Sequence, residues 1–249
     1  ACGANAPLVC CNAVGMNEQL VFDGNSLVLD ADGNEISNLP GFISCFKVVD
    51  ITERGSEAPS MRSIDVEGVH KGLILGIQDY AQKAGFGAVT MILDGNVESS
   101  LVASLAVRAL GAEQVKVLVI PDETQAVESV CRAIQLVEKL GIEHTNISVD
   151  VVKQSADLVL GEILTDLDHP LVDQGITSRV RAMLLMAYAR NNNYLVLSSA
   201  NKSDLSIGHQ FIGGDSSLGL AVLSDVPKII VHKLANFTNS EKELIPKAL

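Results

Sequence analysis

The sequence predicts an α/β protein: a doubly wound parallel sheet preceded by a short stretch of β structure. Three observations carry this. From residue 66 onward, helical and strand periods alternate, and the strand-like runs are solidly apolar, as in strands buried on both faces. Before residue 53 the texture differs, with short β-prone runs set between turn residues. The chain has 249 residues, 47% apolar and 19% charged, enough for one large domain or a domain with an appendage, and too apolar for a disordered chain.

In chain order, Pro7–Ala13 and Ser26–Ala31 read as strands, Asp32-Gly33-Asn34 as a hairpin turn, and Cys45–Ile51 as a third strand. Residues 53–65 (TERGSEAPSMRSI) are polar and read as a linker, so the expected organisation is 1–52, linker 53–65, and 66–249. Val69, Leu73, Ile74, Ile77, Tyr80 and Ala81 form a helical stripe that Gly85 and Gly87 end. Ala88–Leu93 reads as a buried strand, Val97–Leu110 as a helix stopped by Gly111, and Val115–Ile120 as a second buried strand closed by Pro121. Thr124–Leu140 follows as a helix, Thr145–Val149 as a short strand, Val180–Arg190 as a helix, Tyr194–Ser198 as a strand and Asp225–Asn236 as a last helix. Right-handed crossovers between such strands place helices on both faces of the sheet.

Composition excludes several function classes. A net charge of −12 repels nucleic acid and anionic membranes, while leaving room for a local basic pocket around a small anion. No apolar run approaches the roughly 18 residues of a membrane span; the richest, Met183–Ala189, is short. The expectation is a cytoplasmic protein with no nucleic-acid partner and no membrane. The five cysteines, Cys2, Cys10, Cys11, Cys45 and Cys131, show neither C-x-x-C nor zinc spacing and read as small buried hydrophobes of a reducing compartment. The chain opens at Ala1 in a strand-like run and closes after a helix-like one, so it reads as a piece of something longer.

In an open α/β sheet, ligands bind beyond the carboxyl ends of the strands. Three turns qualify: Asp94-Gly95-Asn96-Val97-Glu98-Ser99, Pro121-Asp122-Glu123-Thr124, and Ser199-Ala200-Asn201-Lys202-Ser203-Asp204. Their Asp, Asn and Ser residues suit helix caps as well as ligands, so each turn alone supports both readings. Of the histidines, His209 is placed best for a site, between the third turn and Gly214-Asp215; His70, His144, His169 and His232 read as structural.

Several segments then resemble one family. Gly72–Gly111 has its rhythm of helix, buried strand and turn leading into SLVASLAVRALGAEQV. Arg179-Val180-Arg181, followed by LLMA, resembles an A-R-x-R segment, and YLVLSSANKSDLSIG (194–208) resembles a run ending in G-N-K-S-E-x-x-x-G. Gly214-Asp215, Asp225-Val226-Pro227-Lys228 and Ile245-Pro246 fit in order. These segments are similar to the synthetase domain of glutamine-dependent NAD synthetases. Residues 8–31, with the run NAVGMNEQLVFDGNSLVLD, resemble the last strands of the nitrilase-like glutaminase domain that precedes it.

The resemblance implies the adenine-nucleotide α-hydrolase-like (PP-loop) form of the sheet. It also implies a two-step reaction in which ATP adenylates the carboxylate of deamido-NAD and ammonia displaces AMP to give NAD, with Mg²⁺ required. A homo-oligomer is expected. Carried over motif by motif, Glu98, Lys202 and Asp204 are the implied catalytic residues, with Glu98 and Asp204 as metal ligands. Asp94, Gly95, Asn96, Val97, Ser99 and Ser199 would hold ATP. Arg179, Arg181, Asn201, Asp215 and Lys228 would hold the substrate. The glutaminase nucleophile and its acid and base would lie upstream of Ala1, so this chain alone is expected not to hydrolyse glutamine.

The match is imperfect at the phosphate loop. The family's S-G-G-x-D-S reads here as Asp94-Gly95-Asn96-Val97-Glu98-Ser99, which puts a carboxylate where a hydroxyl should meet pyrophosphate. Asn96 or Asp94 could instead cap the helix that follows. The second turn is short and acidic (Asp122, Glu123), the family's N-x-Q becomes Gly175-Ile176-Thr177, and Asp204 replaces a glutamate. Weakened catalysis is expected, and two other readings stay open: a non-catalytic structural or regulatory relative, and an ATP-dependent ligase acting on another acid.

Overall fold

The computed structural model describes residues 1–59, 65–121, 127–163, 170–208, 219–240 and 243–245. Asp215, His209, Asp122, Glu123, Thr124, His169, Gly214 and Pro246 therefore lie outside the described residues. The chain divides into two units, Ala1–Tyr80 and Ala81–Leu249.

The first unit contains five short strands: β1 (Leu8–Cys10), β2 (Val14–Asn17), β3 (Leu20–Asp23), β4 (Leu27–Leu29) and β5 (Glu35–Asn38). They form an antiparallel sheet β1-β4-β5 and a separate hairpin β2-β3. Asp32-Gly33-Asn34 closes β4 onto β5, as expected. Asp30 organises that turn: its carboxylate accepts the Asn34 N–H at 2.8 Å and the Gly55 N–H at 2.9 Å. The Asn34 backbone bond, ahead of the others, holds the Asp30 carboxyl below its ordinary range. Glu35 N–H donates to the Glu57 carbonyl at 2.6 Å, so the start of the expected linker is tied to the hairpin. Helix α1 (Val66–Lys83) then begins, and its Asp79 accepts the Met16 N–H at 2.5 Å. Gly15 makes that approach possible, because a Cβ there would meet the Asp79 carboxylate at 2.8 Å.

Two expectations fail in this unit. Cys45–Ile51 forms no strand; Phe46 and Val48 are 90% and 83% exposed, so nothing buries the apolar face that strand pairing would need. Nor are the four cysteines whose side chains are described buried: Cys11, Cys45 and Cys131 are exposed and Cys10 is half-buried, while the Cys2 side chain lies outside the description. Cys10 and Cys11 sit at the end of β1, which pairs with β4 alone.

The second unit is the expected parallel sheet. Its strands are β6 (Val89–Ile92), β7 (Val115–Val119), β8 (Glu143–Asn146), β9 (Leu195–Ser198) and β10 (Leu220–Ala221), in the order β10-β9-β6-β7-β8. Every pairing is parallel. Between them lie α2 (Val97–Leu110), α3 (Val127–Leu140), α4 (Asp150–Leu160), α5 (Pro170–Asn192) and α6 (Lys202–Ser206), with α7 (Lys228–Thr238) after β10. The central strands are apolar because both their faces are covered: β9 is buried throughout, and Val89, Thr90 and Met91 of β6 are buried. On one side α2 buries Leu101, Val102 and Leu105 completely, next to α3 and α7. On the other, Val180, Leu185 and Ala189 of α5 pack with Leu118, Ile120 and Val196. Each large side chain buried this way contributes about 1.5–3 kcal/mol.

The strand expected at Thr145–Val149 falls at Glu143–Asn146. It is an edge strand, so polar residues suffice; Glu143 pairs across the register with Lys116 at 2.6 Å, which raises the Lys116 pKa. The apolar Ile147 and Val149 belong to the turn beyond it, where Val149 is buried in the core. Helix α4, which the sequence reading did not anticipate, carries no fully buried residue; its Val152 packs half-buried against the core. No helix among the described residues is long and apolar enough to cross a membrane.

Candidate functional site

The strand order reverses between β6 and β9, since chain order runs outward from β6 on one side and from β9 on the other. That reversal opens a crevice at the carboxyl ends of these two strands. The first turn, 94–99, leaves β6, and the third, 199–204, leaves β9. The sheet therefore brings together two of the three turns singled out in the sequence.

Glu98 is the meeting point. It lies in the first turn of α2, where the helix dipole favours a carboxylate, and its side chain is 16% exposed. Asn201 Nδ2 donates to Glu98 Oε1 at 3.4 Å, and Lys228 Nζ lies 3.4 Å from the same oxygen. Asn201 is itself fully buried as the N-cap of α6, its Oδ1 accepting the N–H groups of Ser203 and Asp204 at 2.9 and 3.0 Å. Asp204 is thus held in the first turn of α6, and Ser199 lies two residues before the cap. Ser203 Oγ accepts the Lys228 N–H at 3.1 Å, joining α6 to the start of α7. Lys202 forms an ion pair with Asp225 at 3.0 Å and its N–H donates to the Val226 carbonyl. Glu98, Asn201, Asp204, Lys202 and Lys228 therefore belong to one connected cluster.

The arginines separate. Arg181 Nε donates to the Ile120 carbonyl at 3.0 Å, placing it at the carboxyl end of β7. Arg179 is exposed and donates to Gly175 of its own helix at 2.8 Å.

The 94–99 turn is organised from within. The Asp94 carboxylate accepts the Asn96 N–H (3.0 Å), Asn96 Nδ2 (2.8 Å) and Ser99 Oγ (2.5 Å). Asn96 is the N-cap residue of α2, but its side chain makes no capping bond; it turns back to Asp94 instead. The capping expected of Asn96 is not what the turn uses. Gly95 has φ +79°, and a Cβ there would stand 2.0 Å from the Ser129 carbonyl oxygen of α3, so only glycine fits. Val97 opens the helix.

Sequence reasoning missed one residue here. Arg132 of α3 donates from Nε to the Gly95 carbonyl at 3.2 Å and from Nη2 to Ser129 Oγ at 2.7 Å. Its turn partner lies 37 residues earlier, and no spacing marks it in advance.

Among the described residues no group of three His, Cys, Asp or Glu side chains converges. Glu98, which already draws the Lys228 ammonium, and Asp204 in the first turn of α6 are the carboxylates of this cluster; a cation such as Mg²⁺ takes one or two carboxylates and completes its shell with phosphate oxygens and water.

Comparison with known proteins is consistent along the chain. The NAD synthase family model matches residues 69–249. The chain is 34% identical to the glutamine-dependent NAD(+) synthetase of Synechocystis sp. over 98% of its own length and 45% of that protein. It is 31% identical to the enzyme of the same name from Rhodobacter capsulatus, over 94% of the chain and 44% of the relative. Among solved structures, the glutamine-dependent NAD+ synthetase from Acinetobacter baumannii in complex with adenosine diphosphate matches with a TM-score of 0.88 and 29% identity, over 99% of this chain and 48% of that one. The chain spans about half the length of the relatives it matches.

Proposed function

This chain belongs to the NAD synthase family, and we propose that it carries the ATP-dependent amidation of deamido-NAD to NAD. A carboxylate oxygen of deamido-NAD attacks the α-phosphorus of ATP and pyrophosphate leaves. Ammonia then attacks the acyl carbon, AMP departs, and a proton is lost. The observation that carries this reading is the joining of the 94–99 and 199–204 turns through Glu98, Asn201 and Lys228 at the reversal of strand order. The Acinetobacter baumannii structure, solved with ADP, supports an adenine nucleotide as ligand.

In this reading the phosphates lie against the N-terminus of α2 and the Gly95 turn, where helix dipole and N–H groups favour anions. Val97, Ser99 and Ser199 line the same edge. Glu98 and Asp204 would hold Mg²⁺, which would supply positive charge to neutralise the phosphates. Lys228 leaves Glu98 and Lys202 leaves Asp225 to face the phosphates and the carboxylate. Asn201 fixes Glu98, Arg181 supplies positive charge beyond β7, and Arg179 and Asp215 contact the nucleotide substrate. The protein works in the cytoplasm, with ammonia as the nitrogen that enters the amide. It self-associates through the exposed apolar side chains of α4 and α5, among them Val151, Leu158, Val159 and Met183; a monomer by light scattering at high protein concentration would refute that.

One observation favours a second reading, a relative with weak or lost catalysis: the Asp94 carboxylate engages donors that a phosphate would use. Incubation with ATP, Mg²⁺, deamido-NAD and ammonium, followed by chromatography of the nucleotides, separates the two. NAD formation that Glu98→Gln abolishes is expected. ATP binding without NAD or pyrophosphate would establish the second reading, and no ATP binding would sink both.

A further inference from the structure

We propose that Arg132 is a positioning residue for the phosphate turn, acting through the Gly95 carbonyl. The proposal rests on the reading that the 94–99 turn receives nucleotide phosphate.

A glycine turn is a poor anion cradle unless something fixes its peptide planes. Glycine reaches positive and negative φ with similar ease, so the Gly95–Asn96 peptide can flip at little cost. In one orientation its carbonyl faces away from the ligand; in the other the oxygen's partial negative charge opposes a phosphate. The structure holds the plane with a cation. Arg132 Nε donates to the Gly95 oxygen at 3.2 Å, and Nη2 is anchored to Ser129 Oγ at 2.7 Å, one helical turn before it. The guanidinium is half-buried. The same stretch of α3 also presents the Ser129 carbonyl to the Cα of Gly95, closer than any side chain would allow. The turn is thus seated on α3 at two points, one steric and one charged. The two bonds leave the guanidinium by separate nitrogens of one planar fork, which a lysine cannot reproduce with a single ammonium.

The test uses Arg132→Met, Arg132→Lys and Ser129→Ala in the full chain. Hydrogen exchange in the free protein reads the turn, and calorimetry with ATP and Mg²⁺ reads the ligand. Faster exchange at amides 95–100 in Arg132→Met is expected, with β7 and α7 unchanged. ATP affinity is expected to fall about tenfold, the scale of one hydrogen bond to a charged group. Arg132→Lys, which keeps the charge but not the fork, should fall with it, and Ser129→Ala by less. Arg132→Lys binding like wild type would overturn the role of the fork. Faster exchange with unchanged ATP affinity would overturn the functional role while leaving the phosphate reading intact. A wild-type chain that binds no ATP would overturn the phosphate reading itself, and this role with it.

Discussion

Asp94 is the residue whose replacement says most about the site. Its carboxylate accepts three hydrogen bonds from its own turn, including the Asn96 N–H and Ser99 Oγ that would otherwise face a phosphate. A nucleotide must displace those bonds and tolerate the charge. Two unit charges about 4 Å apart repel by about 1 kcal/mol in bulk water and about 4 kcal/mol at a surface-like dielectric of about 20. Because the turn is only half-buried, the lower part of that range applies. Asp94→Ser removes the charge and frees the donors, and should tighten ATP·Mg²⁺ binding about ten- to thirtyfold, corresponding to about 1.4–2 kcal/mol. Asp94→Asn keeps an acceptor in place while removing the charge, so it separates occupation of the donors from repulsion. Calorimetry at low and high salt reads both, since repulsion is screened and occupation is not. If neither variant binds ATP more tightly than wild type, the account of this turn is wrong.

Two further perturbations test the framework around the site. Gly95→Ala puts a Cβ 2.0 Å from the Ser129 oxygen at a φ of +79°. At about 1–2 kcal/mol for the backbone and about 1–3 kcal/mol for the overlap, a thermal shift assay should show a fall of several degrees; an unchanged midpoint would deny the close approach. In the first unit, the Asp30 pKa is lowered in the folded protein, so its contribution is present above the ordinary aspartate value of about 3.9 and is lost as pH falls through the lowered value. Amide exchange at Asn34 and Gly55 should accelerate over that acid range in wild type, and Asp30→Asn should flatten the dependence.

The parts of the fold legible in the sequence are those buried on both faces. Val89–Ile92, Val115–Val119 and Leu195–Ser198 announce themselves as largely apolar runs, interrupted in the second by Lys116, because helices cover both sides of the sheet. Edge elements do not: β8 needs only one neighbour and carries Glu143 and His144, and the two-residue β10 is too short to leave a pattern. The β2–β3 hairpin was hidden because its strands alternate weakly and its turn includes Glu18 at positive φ. At the site, the turns were legible from their motif-like residues and their place after buried strands. What the turns do to themselves was not. Asp94 bonding back to Asn96, and Arg132 reaching Gly95 from another helix, depend on backbone direction and packing that no spacing records.

The order β10-β9-β6-β7-β8 has a consequence for how the chain is made. Glu98 and its partner Asn201 lie 103 residues apart. At synthesis rates of about 5–20 residues per second, roughly 5–20 s pass between the appearance of one half of the crevice and the other. Once β7 is made and until β9 follows, β6 has β7 on one side and no strand on the other, leaving Val89-Thr90-Met91-Ile92 as an open apolar edge. Such an edge is a template for pairing with another chain. The nascent protein is therefore most exposed to misassociation before β9 is made, and the strand that completes the site is also the one that closes this window.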